Sequence, residues 1–221
     1  MSGIITSSIG KKLLMSLAGL FLISFLLVHM GLNLVVIISD DPMAYNRAAH
    51  FMSSNVLIKI FEIVLFGGLL LHVIYALILQ IQNWIARPSR YNKANYSNTS
   101  LFSKFMIHTA MITLVFLIIH FMDFYFKAKF GHGAEIIVDG VTYHDFASEI
   151  EDKFKRLPFV IFYIAAFVFL GFHLIHGFQS AFKTLGIDNR KYTPVIQVLA
   201  ICYTTLVVAG YSLIPLIIYF Q

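Results

Sequence analysis

The sequence predicts an all-α fold, an integral membrane bundle of five transmembrane helices with a cytoplasmic N-terminus and an external C-terminus. Three observations carry this. Of the 221 residues, 59% are apolar and only 12% are charged, and mean hydropathy is +0.81. A soluble domain carries about 25% charged residues, so this chain has too little charge to coat a surface facing water. Apolar runs of about 20 residues, the length needed to cross a bilayer, recur five times. Basic residues gather at alternate ends of those runs.

The predicted spans are Leu13–Ile38, Val56–Gln80, Phe105–Phe126, Phe159–Phe182 and Val195–Phe220. Lys11-Lys12 precede the first run, which outlasts the h-region of about 7–15 residues in a cleaved signal and is read as a retained span. Asp40-Asp41-Pro42 ends it. The segment from Ala86 to Ser103, with Pro88 and an Asn/Ser-rich stretch, separates the second span from the third. Pro158 and Pro194 open the fourth and fifth, where a missing N–H costs little. Within the one sizeable loop, Lys127–Leu157, Ile136–Tyr143 reads as a hairpin about Asp139-Gly140, and Glu149–Arg156 as a charged helical approach to the fourth span.

Charge sets the direction. The N-terminus and the second-to-third and fourth-to-fifth loops hold Lys11, Lys12, Arg87, Arg90, Lys93, Lys104, Lys183, Arg190 and Lys191, with Asp188 their one acid. The base-rich side is expected inside. The net charge of +5 therefore marks membrane orientation rather than nucleic-acid binding. With Cys202 the only cysteine, an intrachain disulfide, a cysteine zinc site and covalent haem attachment are excluded.

Ionisable side chains inside a membrane are costly and usually functional. Five of nine histidines fall within spans: His29, His72, His120, His173 and His176. One such histidine is readily explained as a polar contact between helices, but four spans each carrying one point to a shared cause. At the helical rise, His29 lies about 25 Å from Lys12 and His120 about 24 Å from Lys104, in the outer half. On the same scale His72 is about 15 Å from Gln82-Asn83 and His173 about 15 Å from Lys183, nearer the inner face. A zinc or copper site would gather its ligands at one depth. Two layers of two imidazoles suit two bis-histidine haems. His176, three residues from His173 on the same face, is the alternative ligand or a contact to a propionate or quinone. Gly67-Gly68, Gly171 and Gly177 lie near these histidines; they could wall a porphyrin or serve bare helix packing. His108 is placed at the inner interface, and His50, His132 and His144 in external segments; all four are read as solvated.

Four stretches then carry a resemblance: Ser8-Ile9-Gly10-Lys11-Lys12 with Phe25-Leu26-Leu27-Val28-His29; Leu71-His72-Val73-Ile74-Tyr75; Ile118-Ile119-His120; and Phe172-His173-Leu174-Ile175-His176-Gly177-Phe178 onward to Gly186. In this order they resemble the cytochrome b membrane-anchor subunit of succinate dehydrogenases and fumarate reductases. The likeness is to the single-chain, five-helix, dihaem type, particularly versions from the Bacteroidetes group, and it covers residues 1–221 as one domain. That family's pattern sets the ligand four residues before one glycine and thirteen before another, which selects His173 with Gly177 and Gly186. The resemblance implies two haem b groups, one between His29 and His120 and one between His72 and His173. It also implies a flavoprotein carrying FAD and an iron–sulfur protein docked on the cytoplasmic face of a bacterial inner membrane. Electrons would pass through these partners to the inner and then the outer haem and reduce a quinone, menaquinone for preference; the flow could run in reverse. Succinate chemistry would belong to another subunit.

Quinone chemistry needs protons. Glu62, about 15 Å outward of His72, and Asp123, one turn after His120, are candidate proton carriers at a quinone site; the plainer reading pairs them with Lys59 or Lys127 at the interface. Ser8, Lys11 and Lys12 could meet haem propionates or merely mark the cytoplasmic edge. Two other functional classes fit less well: a haem-free transporter using histidines for protons or metal, and the cytochrome b anchor of another quinone-linked dehydrogenase.

Overall fold

The computed structural model describes residues 7–86, 105–131 and 133–221. Among these, five helices are long and apolar enough to cross a membrane: α1 (Ser8–Ile38), α3 (Val56–Ala86), α4 (Met106–Lys129), α6 (Leu157–Thr184) and α7 (Thr193–Phe220). Each contains nearly all of its predicted span and most extend beyond it. At 31 residues, α1 and α3 are about 46 Å long, more than the hydrocarbon core of about 30 Å.

The ends follow local chemistry. Ser7 caps α1, its Oγ accepting from Gly10 N at 3.0 Å. Pro158 and Pro194 sit in the first turns of α6 and α7. Gly186 ends α6 at φ +87°, with Ile187 N donating back to Phe182 O at 3.0 Å. This left-handed closure suits a residue without a Cβ.

Helix α6 is central, packing on α1, α4 and α7, while α1 also packs on α3 and α7. Buried Val160, Tyr163, Phe167, Leu174, Val207, Tyr211 and Ile214 form the core with Met30 and Phe116. Lipid is as apolar as leucine, so close packing and interhelical hydrogen bonds hold such a bundle. Both are present: a Cβ on Gly171 would lie 2.8 Å from Val208 Cγ2, and Tyr203 and Tyr211 donate to the α1 carbonyls of Ile23 (2.5 Å) and Leu26 (2.9 Å). Helix α3 has no buried residue and lies at the periphery.

At one end sits a small lobe of α2 (Ala44–Ser54), a hairpin of β1 (Glu135–Val138) and β2 (Val141–His144), and α5 (Phe146–Phe154). The hairpin forms where expected, with Glu135 opposite His144 and Val138 opposite Val141. Its turn residues Asp139 (φ 53°) and Gly140 (φ 76°) are both left-handed, as a tight two-residue turn requires. The charged helix starts at Phe146, earlier than the expected Glu149, because Asp145 caps it by accepting from Ser148 N. Helix α2 was not expected from the sequence; its apolar content is too low to stand out in a hydropathy reading.

Asn46 joins the lobe together. It is 2% exposed, donates to Asp145 Oδ1 at 2.9 Å and accepts from Ala147 N at 3.0 Å. Asn46→Ala is expected to cost about 2 kcal/mol in lobe stability by leaving buried partners unpaired, read as faster protease cleavage within residues 133–156; an unchanged rate refutes it. Burial pushes the Asp145 carboxyl up, but hydrogen bonds from Asn46 and Ser148 and the nearby His144 outweigh this and hold it below its ordinary value. A carboxyl depressed in the folded state stabilises fully above the unfolded pKa of about 4 and loses that contribution as pH falls through the folded one. The lobe should therefore become more protease-sensitive on acidification below about pH 4.

Candidate cofactor site: two histidine pairs

The antiparallel packing of α1 on α3 puts His72 beside the first turns of α1, where its Nδ1 lies 3.3 Å from the Met15 carbonyl. A carbonyl only accepts, so Nδ1 carries the proton and Nε2 keeps its lone pair for a metal. Gly19 makes room for this ring: a Cβ there would approach His72 Cε1 to 3.3 Å and Nδ1 to 3.4 Å. Across the bundle His173 of α6 faces the same ring, with centroids 6.3 Å apart and planes at 88°. This is the basal pair.

The lobe pair lies 10 to 14 residues further along α1 than Gly19 and Met15, about 15–21 Å away. His29 and His120 have centroids 5.8 Å apart and planes at 81°. His29 stacks on Phe25 at 5.3 Å and His120 on Phe116 at 5.7 Å. Asn33 donates to the His29 carbonyl at 2.7 Å, and Tyr45 of α2 donates to Asn33 Oδ1 at 3.1 Å, tying this layer to the lobe. A π-helical turn, Phe121–Tyr125, begins directly after His120; such turns are frequent at functional sites.

The helices bearing each pair, α1 with α4 and α3 with α6, are not among the closely packed ones. The rings therefore meet across gaps between helices. A metal–nitrogen bond is about 2 Å, so imidazoles bonded to one metal from opposite sides have centroids about 6 Å apart. Both pairs fall near that value. Among the described residues no three or more His, Cys, Asp and Glu converge. A structural zinc ion takes four protein ligands, whereas a haem brings four nitrogens of its own and accepts two axial ones. The Nδ1 atoms of His120 and His173 are buried without a hydrogen-bond partner among the described residues. The donor set fits haem in both layers.

No family model, curated protein or solved structure matches this chain.

Other expected residues separate in space. His176 sits half-buried one turn basal to His173 and is not the residue opposite His72. Gly177 is open, with nothing within 4 Å of a Cβ, whereas Gly171 is filled by α7 side chains, Val208 and Thr204; Gly171 is a packing residue. Ser8 and Lys12 are exposed and Lys11 half-buried; the lysines lie one turn and Ser8 two turns basal of Met15. Glu62 accepts from Tyr125 OH at 2.5 Å and pairs with Lys129 at 3.1 Å, beside the contacting rings of Phe66 and Phe121. Asp123 accepts from Tyr163 OH at 2.7 Å and forms an ion pair with Lys153. The ion pairs run to Lys129 and Lys153 rather than to Lys127, because α4 continues a turn past Phe126 and α5 brings Lys153 to Asp123; Lys59 acts on Glu62 through space without forming an ion pair. Asp123 and Tyr125 lie two residues apart, on opposite faces of α4.

His108 is exposed as expected. His50 instead packs on Tyr143 at 5.0 Å, and His144 packs on Phe146 at 4.1 Å and lies 3.4 Å from Glu149; the lobe shelters both. His132 and the basic residues Arg87, Arg90, Lys93 and Lys104 lie outside the described residues. Gly19, Asn33, Tyr45 and Lys153 were not singled out in the sequence; a glycine inside an apolar run was the one available signal.

Proposed function

We propose that this chain is the dihaem cytochrome b anchor of a succinate:quinone oxidoreductase, moving electrons between an iron–sulfur subunit and a membrane quinone. The observation that supports it is the two layers of opposed imidazoles, 5.8 Å and 6.3 Å apart, on helices ordered as in the resemblance drawn from the sequence. In this reading the lobe faces outward and the basal end faces the cytoplasm of a bacterial inner membrane. There the flavoprotein, with FAD, and the iron–sulfur protein would dock.

Haem b, when bound, exchanges single electrons. His72 and His173 hold the basal group, with the Met15 carbonyl fixing the His72 tautomer. His29 and His120 would hold the lobe group, their rings oriented by stacking on Phe25 and Phe116. Lys11, Lys12 and Ser8, at the basal end of α1, would meet basal propionates, with His176 as a further contact. Glu62 is the candidate proton carrier for quinone, preferably menaquinone: it is 27% exposed at its side chain, on peripheral α3, with Tyr125 and Lys129 to hold its charge and Phe66 and Phe121 to meet a quinone ring. Asp123 stays a second candidate on the other face of α4.

The purified chain should show reduced b-type absorption bands at two haems per chain and co-purify with a flavoprotein and an iron–sulfur protein. A protein without those bands refutes the reading and favours a histidine-dependent transporter. Glu62→Gln should slow quinone turnover at least tenfold, about 1.4 kcal/mol in the barrier, with haem content intact; unchanged turnover removes Glu62 from the proton path.

A further inference from the structure

The pair formed by Asp123 and Lys153 is an expensive arrangement. Their side chains are only 18% and 11% exposed, and breaking one half of a buried pair leaves a charge without compensation. The two come from different elements, Asp123 from the π-helical turn of α4 and Lys153 from α5 of the lobe. Lys153 also lies 5.6 Å from the Phe124 centroid and 4.6 Å from that of Phe159.

Two aromatic rings connect this pair to the lobe histidines. Phe124 contacts His120 at 5.4 Å while carrying Lys153 over its face. Tyr163 contacts His120 at 6.4 Å while donating to Asp123. Among the described residues no ion pair lies against the basal pair: the neighbours of His72 and His173 include Met15, Gly19 and His176.

We infer that Asp123 and Lys153 are positioning residues that set the redox balance of the lobe layer, each charge offsetting the other beside His120. The inference rests on the haem reading above. Adding an electron lowers the charge of the bound group by one, so an unpaired lysine nearby favours the reduced form and an unpaired carboxylate the oxidised form. In a site of low dielectric such fields are weakly screened. A purely structural pair would move both layers, or move the lobe layer the same way whichever half is removed.

The test is a redox titration of the purified full-length chain at fixed pH, following b-type absorbance; His29→Ala, which removes the lobe step, assigns the two steps. Asp123→Asn, which keeps an acceptor for Tyr163, should raise the lobe potential by about 59 mV, the equivalent of tenfold in the one-electron equilibrium. Lys153→Gln should lower it by a similar amount. The double variant, with no net charge buried and hence the safest fold, should return close to the wild-type value while the basal step stays put throughout. Single variants that shift in the same direction, or a basal step that moves as far as the lobe step, overturn the inference. Absence of b-type bands in the wild-type chain overturns the haem reading itself, whereas bands with unmoved potentials overturn only the role of this pair.

Discussion

His173→Ala is expected to halve the haem content of the purified chain, from two per chain to one, leaving the lobe component spectrally unchanged. His72→Ala should do the same. The reason is geometric: each imidazole is the opposing partner of the other at 6.3 Å, so removing either would leave the group held by one side chain of the pair. His176, one turn away, is the residue to compare. His176→Ala should retain both haems. Loss of the basal haem in His176→Ala with retention in His173→Ala would reverse the ligand assignment and show that α6 turns differently when loaded.

The second large effect comes from two glycines six residues apart. Gly171→Leu should strongly reduce folded protein, because even a Cβ meets Val208 at 2.8 Å and Thr204 at 3.3 Å, inside the ordinary carbon contact of about 3.5–4.0 Å. The α6–α7 interface would have to open, at a cost of about 1–3 kcal/mol or more, with no hydrophobic gain in lipid to offset it. A Cβ at Gly177 meets nothing within 4 Å, so Gly177→Leu should fold. Its side chain would instead enter the space one turn from His173, so the basal haem should be lost and the lobe haem kept. Thermal unfolding and haem spectra together separate the cases. Two intact bands in Gly177→Leu would show that the open space is not the cofactor's.

Much of this was legible in the chain itself, for definite reasons. A span crossing hydrocarbon satisfies its backbone hydrogen bonds internally, so its existence follows from length and hydropathy without reference to any neighbour. Depth follows too, since rise per residue is constant: His29 and His120 fall in one layer and His72 and His173 in the other by counting alone. The Asp139-Gly140 turn was readable because left-handed backbone favours few residue types.

What the sequence left open depends on rotation and approach. Counting along α6 places His173 and His176 on one face; only packing against α1, α4 and α7 turns His173 toward His72. Hydropathy treats Gly171 and Gly177 alike; the contact with Val208 makes one a packing residue and leaves the other open. Glu62 and Asp123 have charged neighbours in sequence, yet pair with Lys129 and Lys153, because α4 runs on past its apolar stretch and α5 brings Lys153 to Asp123. The sequence by itself determined how many helices cross and at what height each histidine sits, since those are properties of one helix in a bilayer. The tertiary structure decided which side chains face one another, since that depends on contacts between helices whose rotation no single-helix pattern contains.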